Sequence, residues 1–251
     1  MATPSMADPS SVEPSKAKPK LFFQLSRAQQ RKLGKAAPVL RQLEGDNLSD
    51  KLVTYRKTIR FHVKASHDDA VQMVQDVHRG LQDPNARDEN GRNGLHFACH
   101  EGANGAVLAL IKEDCSVDEP DMDMRWTPIH YAVMGKRKHI VALLLKYAPT
   151  PYVTVNRRDK IGTTPLMLAA GEGYPSIVRL LLDNGADIDD RDNEGMTALH
   201  YAALTDQVRA AETLLEYRCN TEIKTKSSSE TALELAERIH SHLVSIALFE
   251  C

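Results

Sequence analysis

The chain has no run of 18 or more apolar residues, so no transmembrane helix is expected. Met1–Lys20 contains no apolar h-region, which argues against a secretory signal, and Asp8 and Glu13 argue against a transit peptide. Cysteine is scarce. Cys99, Cys115, Cys219 and Cys251 lie far apart and form no C-x-x-C. That pattern fits thiols in a reducing compartment and excludes a disulfide framework. Cys251 is the last residue, so it heads no prenylation box. Catalytic motifs are missing too: there is no phosphate-binding Gly loop, no G-x-S-x-G, no H-E-x-x-H and no paired-carboxylate arrangement. Gly171-Glu172-Gly173 reads as an ordinary turn. His96 and His100 stand at i, i+4 around Cys99, but spacing places no third ligand beside them. The expectation is a non-enzymatic chain with no catalytic residue, no cofactor and no metal.

What is present is enough apolar and charged residue for a soluble core-forming body, 42% and 26% of the chain. The net charge of -2 hides an asymmetry. Residues 1–64 carry 13 Lys/Arg against 5 Asp/Glu, a net of +8, and residues 65–251 carry 19 against 29, a net of -10. A basic arm therefore precedes an acidic body. The arm is either a solvated tail or a contact for an acidic partner, such as nucleic acid, an anionic surface or an acidic protein. Residues 1–20, rich in Pro, Ser, Ala and Lys, are predicted to be a disordered tail. Residues 21–64 form the basic arm, with short helices around Ala28–Leu33 that carry Arg27, Arg31, Lys32 and Lys35. Ile59, Phe61 and Val63 alternate with Arg60, His62 and Lys64, which predicts a short strand over Thr58–Lys64. From Asp68 the period changes: Ala70, Val71, Val74, Val77 and Leu81 mark an amphipathic helix.

Then a unit repeats. Leu95, Ile129, Leu166, Leu199 and Leu233 are separated by 34, 37, 33 and 34 residues. Around them stand N-G-L-H-F-A (93–98), T-P-I-H-Y-A (127–132), T-P-L-M-L-A (164–169), T-A-L-H-Y-A (197–202) and T-A-L-E-L-A (231–236). A fixed period of this length means a solenoid whose units bury their apolar faces against one another. These hexapeptides resemble the ankyrin repeat, T-P-L-H-x-A with a period near 33, over about residues 85–251. The resemblance implies an all-α solenoid of about five repeats, each a β-hairpin finger followed by two antiparallel helices. It implies that Thr127, Thr164, Thr197 and Thr231 open the inner helices, and that His96, His130 and His200 hydrogen-bond between loops of adjacent units. Residues 65–84 fit the grid as a degenerate N-terminal capping repeat.

Departures from the pattern carry their own expectations. Asn93-Gly94 in place of Thr-Pro is expected to loosen the first helix start. Tyr147–Val155 adds four residues between the second and third repeats, and Pro149 and Pro151 predict a stiff protruding loop. Arg125 and Ser229 stand where other fingers have Gly, and Lys136, Asp206 and His240 stand where other inter-helix turns have Gly. Positive φ is expected at these places.

The resemblance places partner binding on finger tips and inner-helix faces. The residues singled out there are Arg92, Met124, Arg125, Trp126, Met134, Lys160, Ile161, Met196 and Leu204. An apolar stripe at positions that packing does not demand marks a protein interface. Trp126, the only Trp, is either an interface anchor or a seal folded onto the neighbouring finger. The function expected is an adaptor binding another protein, monomeric, in cytoplasm or nucleus. The alternative is a tether whose basic arm binds nucleic acid or an anionic surface.

Overall fold

A computed structural model describes Thr58 and residues 61–239. The chain divides into two units, residues 1–50 and 51–251, and every described residue lies in the second. The readings of residues 1–57, and of a last outer helix at 244–249, fall outside the described residues.

Helices alternate between two layers. The inner layer holds residues 61–66, α2 (Gly94–Glu101), α4 (Pro128–Met134), α7 (Pro165–Gly171), α9 (Ala198–Leu204) and α11 (Ala232–Arg238). The outer layer holds α1 (Ala70–His78), α3 (Asn104–Lys112), α5 (Lys138–Tyr147), α8 (Pro175–Asp183) and α10 (Val208–Glu216). A one-turn helix, α6 (Pro151–Val155), is inserted after α5. None of these helices exceeds ten residues, too short to persist alone in water, so stacking supplies the stability. α2 packs on α4, α4 on α7, α7 on α9 and α9 on α11, and the outer helices pack in the same order.

The core follows the repeat. Leu95, Ile129, Leu166 and Leu199 are at most 2% exposed. Ala98, Ala132, Ala169, Ala202 and Ala236 are wholly buried, and their small side chains let neighbouring helices approach closely. Thr127 and Thr197 close capping boxes with His130 and His200, Thr231 closes one with Glu234, and Thr164 accepts from the Met167 amide.

Four expectations need correction. Asn93 does not loosen its helix: its side chain accepts from the Leu95 and His96 amides and completes a capping box. Gly94 serves packing, because a Cβ there would lie 3.1 Å from the Phe61 ring. In place of the strand expected over 58–64, Thr58 and residues 61–66 are helical. Phe61 and Ala65, four apart, are buried at 2% and 0%, so the burial period is helical and the alternation was incidental. Phe61 and His62 stand 34 residues before Leu95 and His96, which makes residues 61–66 and α1 a further repeat lacking its Thr-Pro start. The loop at 147–155 is not a free protrusion. Pro151 opens α6, Val155 is wholly buried, and the Thr154 hydroxyl donates to Asp118 Oδ2 at 3.0 Å. Finally, the fingers are turns rather than β-hairpins. No strand occurs among the described residues, and a typical finger closes on two backbone bonds, as from Asp159 N to Thr163 O and from Gly162 N to Asp159 O.

Positive φ recurs on the same grid. Arg125 (59°) and Ser229 (54°) adopt it in fingers, and Lys136 (58°) and Asp206 (55°) between helices. A third site closes the outer helices, where Arg218 (61°) and Asp114 (57°) stand in the place of Gly185 (84°). A left-handed non-Gly residue carries roughly 1–2 kcal/mol of strain. Arg218→Gly is therefore expected to raise unfolding stability by about 0.5–1 kcal/mol, read as a higher urea midpoint at unchanged slope. A lower midpoint would contradict this account of the turn.

Candidate partner-binding surface

Four of the five described fingers are built on an aspartate, and the fifth has Thr225 in its place, whose hydroxyl accepts from the Glu230 amide. Asp88, Asp121, Asp159 and Asp192 stand 33, 38 and 33 residues apart. Oδ1 of each accepts two backbone N–H groups of its own finger. For Asp159 these are Ile161 and Thr163 at 2.9 and 2.8 Å, and for Asp121 they are Met124 and Trp126, both at 3.0 Å. Such Asx turns hold the tip in one shape. Oδ2 then reaches elsewhere. Asp121 and Asp192 accept from the Tyr131 and Tyr201 hydroxyls, and Asp88 accepts from the Arg92 guanidinium. Asp159 Oδ2 accepts the indole N–H of Trp126 at 3.0 Å, so one finger is tied to the next.

Neighbouring tips are also joined through the main chain. Met122 N donates to Asn90 O, Lys160 N to Met124 O, Asn193 N to Ile161 O and Lys226 N to Glu194 O, at 2.7–3.0 Å. The tips thus form one continuous edge, one bond per step.

This geometry sorts the residues singled out by sequence. Trp126 and Arg92 turn into the fold rather than toward solvent. Trp126 is 5% exposed, stacked on His130 and edge-on to Tyr131, with its polar atom already used. Arg92 is 8% exposed, paired with Asp88 and lying over the Phe97 ring. Met134 and Met196 are half-buried. Met124, Arg125, Lys160, Ile161 and Leu204 are exposed. Of these, Met124, Ile161, Arg125 and Lys160 gather on the second and third fingers, while Leu204 ends the inner helix α9. Sequence reasoning missed Met122, which at 69% is the most exposed apolar group on the fingers. Its signal was available, since it lies directly after the finger aspartate of its own unit.

The histidines are structural. His96 Nδ1 accepts from the Asn93 amide, and Nε2 donates to Glu119 O at 2.9 Å in the next finger. His200 repeats this, with Nε2 on Glu230 O at 3.3 Å. His130 accepts from the Thr127 amide in the same way, but its Nε2 has no hydrogen-bond partner. Both ring nitrogens of His96 are engaged, so the His96/His100 pair offers no cation a ligand from that ring. Burial pushes His96 down to about 3 and His130 down to about 4, and lowers His200. Burial likewise raises the thiols, Cys115 to about 12 and Cys99 well above its ordinary value, which leaves both unreactive.

The comparisons with known proteins agree with this architecture. A family model described as "Ankyrin repeats (3 copies)" matches residues 61–159 and again 151–227. The chain is 32% identical over 170 residues to "Neurogenic locus notch homolog protein 1" of Xenopus tropicalis, and 30% identical over 170 residues to the human protein of that name. Each match covers 67% of this chain and 6% of the relative. A third relative, human "Transient receptor potential cation channel subfamily A member 1", is 33% identical over 129 residues, 51% of this chain and 11% of that protein. The similarity therefore spans a small part of each relative.

The lowered histidines fix the sign of a pH effect. Unfolded imidazoles take up protons below about 6.5, and folded His96 and His130 do not until far lower. Their contribution is complete above about pH 7 and is lost as pH falls, by about 2 kcal/mol per imidazole at pH 5. Urea midpoints measured from pH 7.5 to 5 are expected to fall steadily. A flat series would show that these rings are hydrated in the fold.

Proposed function

The chain belongs to the ankyrin repeat family, and on that premise we propose that it is a non-enzymatic adaptor that holds a protein partner on its finger tips. Ankyrin repeats mediate protein–protein interaction. The observation that carries the finer reading is the apolar edge of Met122, Met124 and Ile161. These side chains are 69%, 36% and 49% exposed on tips whose backbones are hydrogen-bonded side by side. The fold gains little from them there, and apolar groups set among charges suit the centre of an interface. Asp123, Arg125 and Lys160, all exposed, supply the polar rim. Leu204, 47% exposed, extends the same chemistry onto the inner helices. The finger backbones are fixed before binding, so a partner meets a preorganised surface and the ordering cost falls on its own segment.

The chain is taken to work as a monomer in cytoplasm or nucleus. No described helix is long and apolar enough to cross a membrane. The +8 charge of residues 1–64 favours a second contact with an acidic macromolecule, which a salt series on Arg27, Arg31, Lys32 and Lys35 variants tests.

Replacing Met122, Met124 and Ile161 together by Lys tests the main reading. Capture of the partner by the triple variant is expected to fall about tenfold or more, while stability shifts by no more than about 0.5 kcal/mol per site. Undiminished capture would remove the tips from the interface.

A further inference from the structure

A cleft of about 900 Å³ opens beside α6, between the stems of the second and third fingers. Asp118, Glu119, Arg125, Tyr152, Arg157 and Lys160 are among its walls. It exists because α6 interrupts the grid. Asn85, Asp118, Asn156 and Asp189 are equivalent positions, each three residues before a finger aspartate or its equivalent neighbour in the series. In three of them the side-chain oxygen accepts a backbone N–H of the following repeat. Asn85 Oδ1 takes Ser116 N at 3.0 Å, Asn156 Oδ1 takes Asp187 N at 2.9 Å and Asp189 Oδ1 takes Asn220 N at 2.8 Å. At the fourth, the backbone that should supply the donor has been wound into α6. Asp118 Oδ1 is left buried with no hydrogen-bond partner.

The charges on the walls are unequally used. Each carboxylate has a partner: Asp118 Oδ2 accepts from Thr154, Glu119 pairs with Arg87, and Asp159 holds its finger and Trp126. The cations do not. Arg125 and Lys160 side chains make no ion pair among the described residues. The Arg157 guanidinium stands 3.9 Å from Asp118, its Nε has no partner, and its side chain is 41% exposed. An acidic body thus carries three under-used cations around one polar hollow. Tyr152 and Val153, 60% and 41% exposed on α6, give it an apolar lip.

We propose that this cleft binds an extended acidic peptide segment of a partner. Carboxylate side chains of the segment pair with Arg125, Arg157 and Lys160, and a main-chain N–H supplies the donor that Asp118 Oδ1 lacks once the Arg157 side chain turns outward. Arginine and lysine clusters recognise carboxylates by charge-assisted hydrogen bonds, and a hollow of this size exceeds the needs of a single small anion. The net charge of residues 1–57 is positive, which favours a partner's acidic segment as the occupant over those residues. The inference rests on the reading of the chain as a protein-binding module; the cleft shares Arg125 and Lys160 with the rim of the finger-tip surface but not its apolar edge.

The test uses the full chain and a fluorescein-labelled octapeptide of alternating Glu and Ala, with its Gln/Ala counterpart as the neutral probe. Fluorescence anisotropy is expected to show binding of the Glu peptide that weakens about tenfold or more in the double variant Arg125→Glu, Lys160→Glu. A double variant of equal charge change at remote exposed sites, Lys112→Glu and Arg209→Glu, should weaken it far less, with circular dichroism confirming that both remain folded. Equal affinity for the two peptides, or equal losses in the two double variants, overturns the proposal. A variant with Met122, Met124 and Ile161 all changed to Gln, which adds no charge beside Arg125 and Lys160, should bind the Glu peptide as the wild type does, so that loss of partner capture at the tips does not bear on the cleft.

Discussion

The surface of the first four fingers depends on a carboxylate set at the root of each. A finger is a short turn with one or two backbone bonds of its own, too little to hold its shape in water. The aspartate supplies two more bonds from a single oxygen, and its other oxygen reaches a side chain of its own unit or, at Asp159, of the preceding one. A buried charge is costly unless its bonds are made, and here the three or more donors per carboxylate offset that cost. Asp159 is the sharpest case, because its second oxygen takes the indole N–H of Trp126 from the preceding finger. The consequence is that tips stand in a fixed row and show a partner a constant face.

A second consequence concerns where information about binding can reside. The leucines, alanines and capping threonines make each unit dependent on its neighbours, and they are nearly the same in every unit. They define the scaffold and leave the ligand open. Distinctive chemistry is confined to what the scaffold leaves unconstrained: the tip residues after each aspartate, and the one place where an added turn of helix breaks the grid. Met122, Met124 and Ile161 belong to the first kind, and the polar hollow beside α6 to the second.

Much of this was legible in the sequence. The period, the inner helices, the capping threonines and the positive-φ places at Arg125, Lys136, Asp206 and Ser229 all follow from local pattern, because each depends on residues within one unit. What was not legible depends on partners a full repeat away. Trp126 reads equally well as an anchor or a seal until Asp159, 33 residues on, is brought beside its indole. Residues 58–64 alternate by accident, and only the burial of Phe61 and Ala65 against α2 identifies a helix. The added segment with Pro149 and Pro151 reads as a loop, yet the same Pro151 suits the first position of a helix when Val155 finds a buried site. Arg92 shows the general difficulty: its position on the grid is that of a contact residue, while the adjacent Asp88 and Phe97 draw it inward.

The claim that the Asp159 carboxylate locks one repeat to the next is tested most directly by a double-mutant cycle on Trp126→Phe and Asp159→Asn, read by urea unfolding. The account predicts that the two losses are not additive, with a coupling of about 1.5–3 kcal/mol, as for a buried hydrogen bond to a charged group. Additivity within about 0.5 kcal/mol would contradict it, and would mean that the fingers stand in line for some other reason.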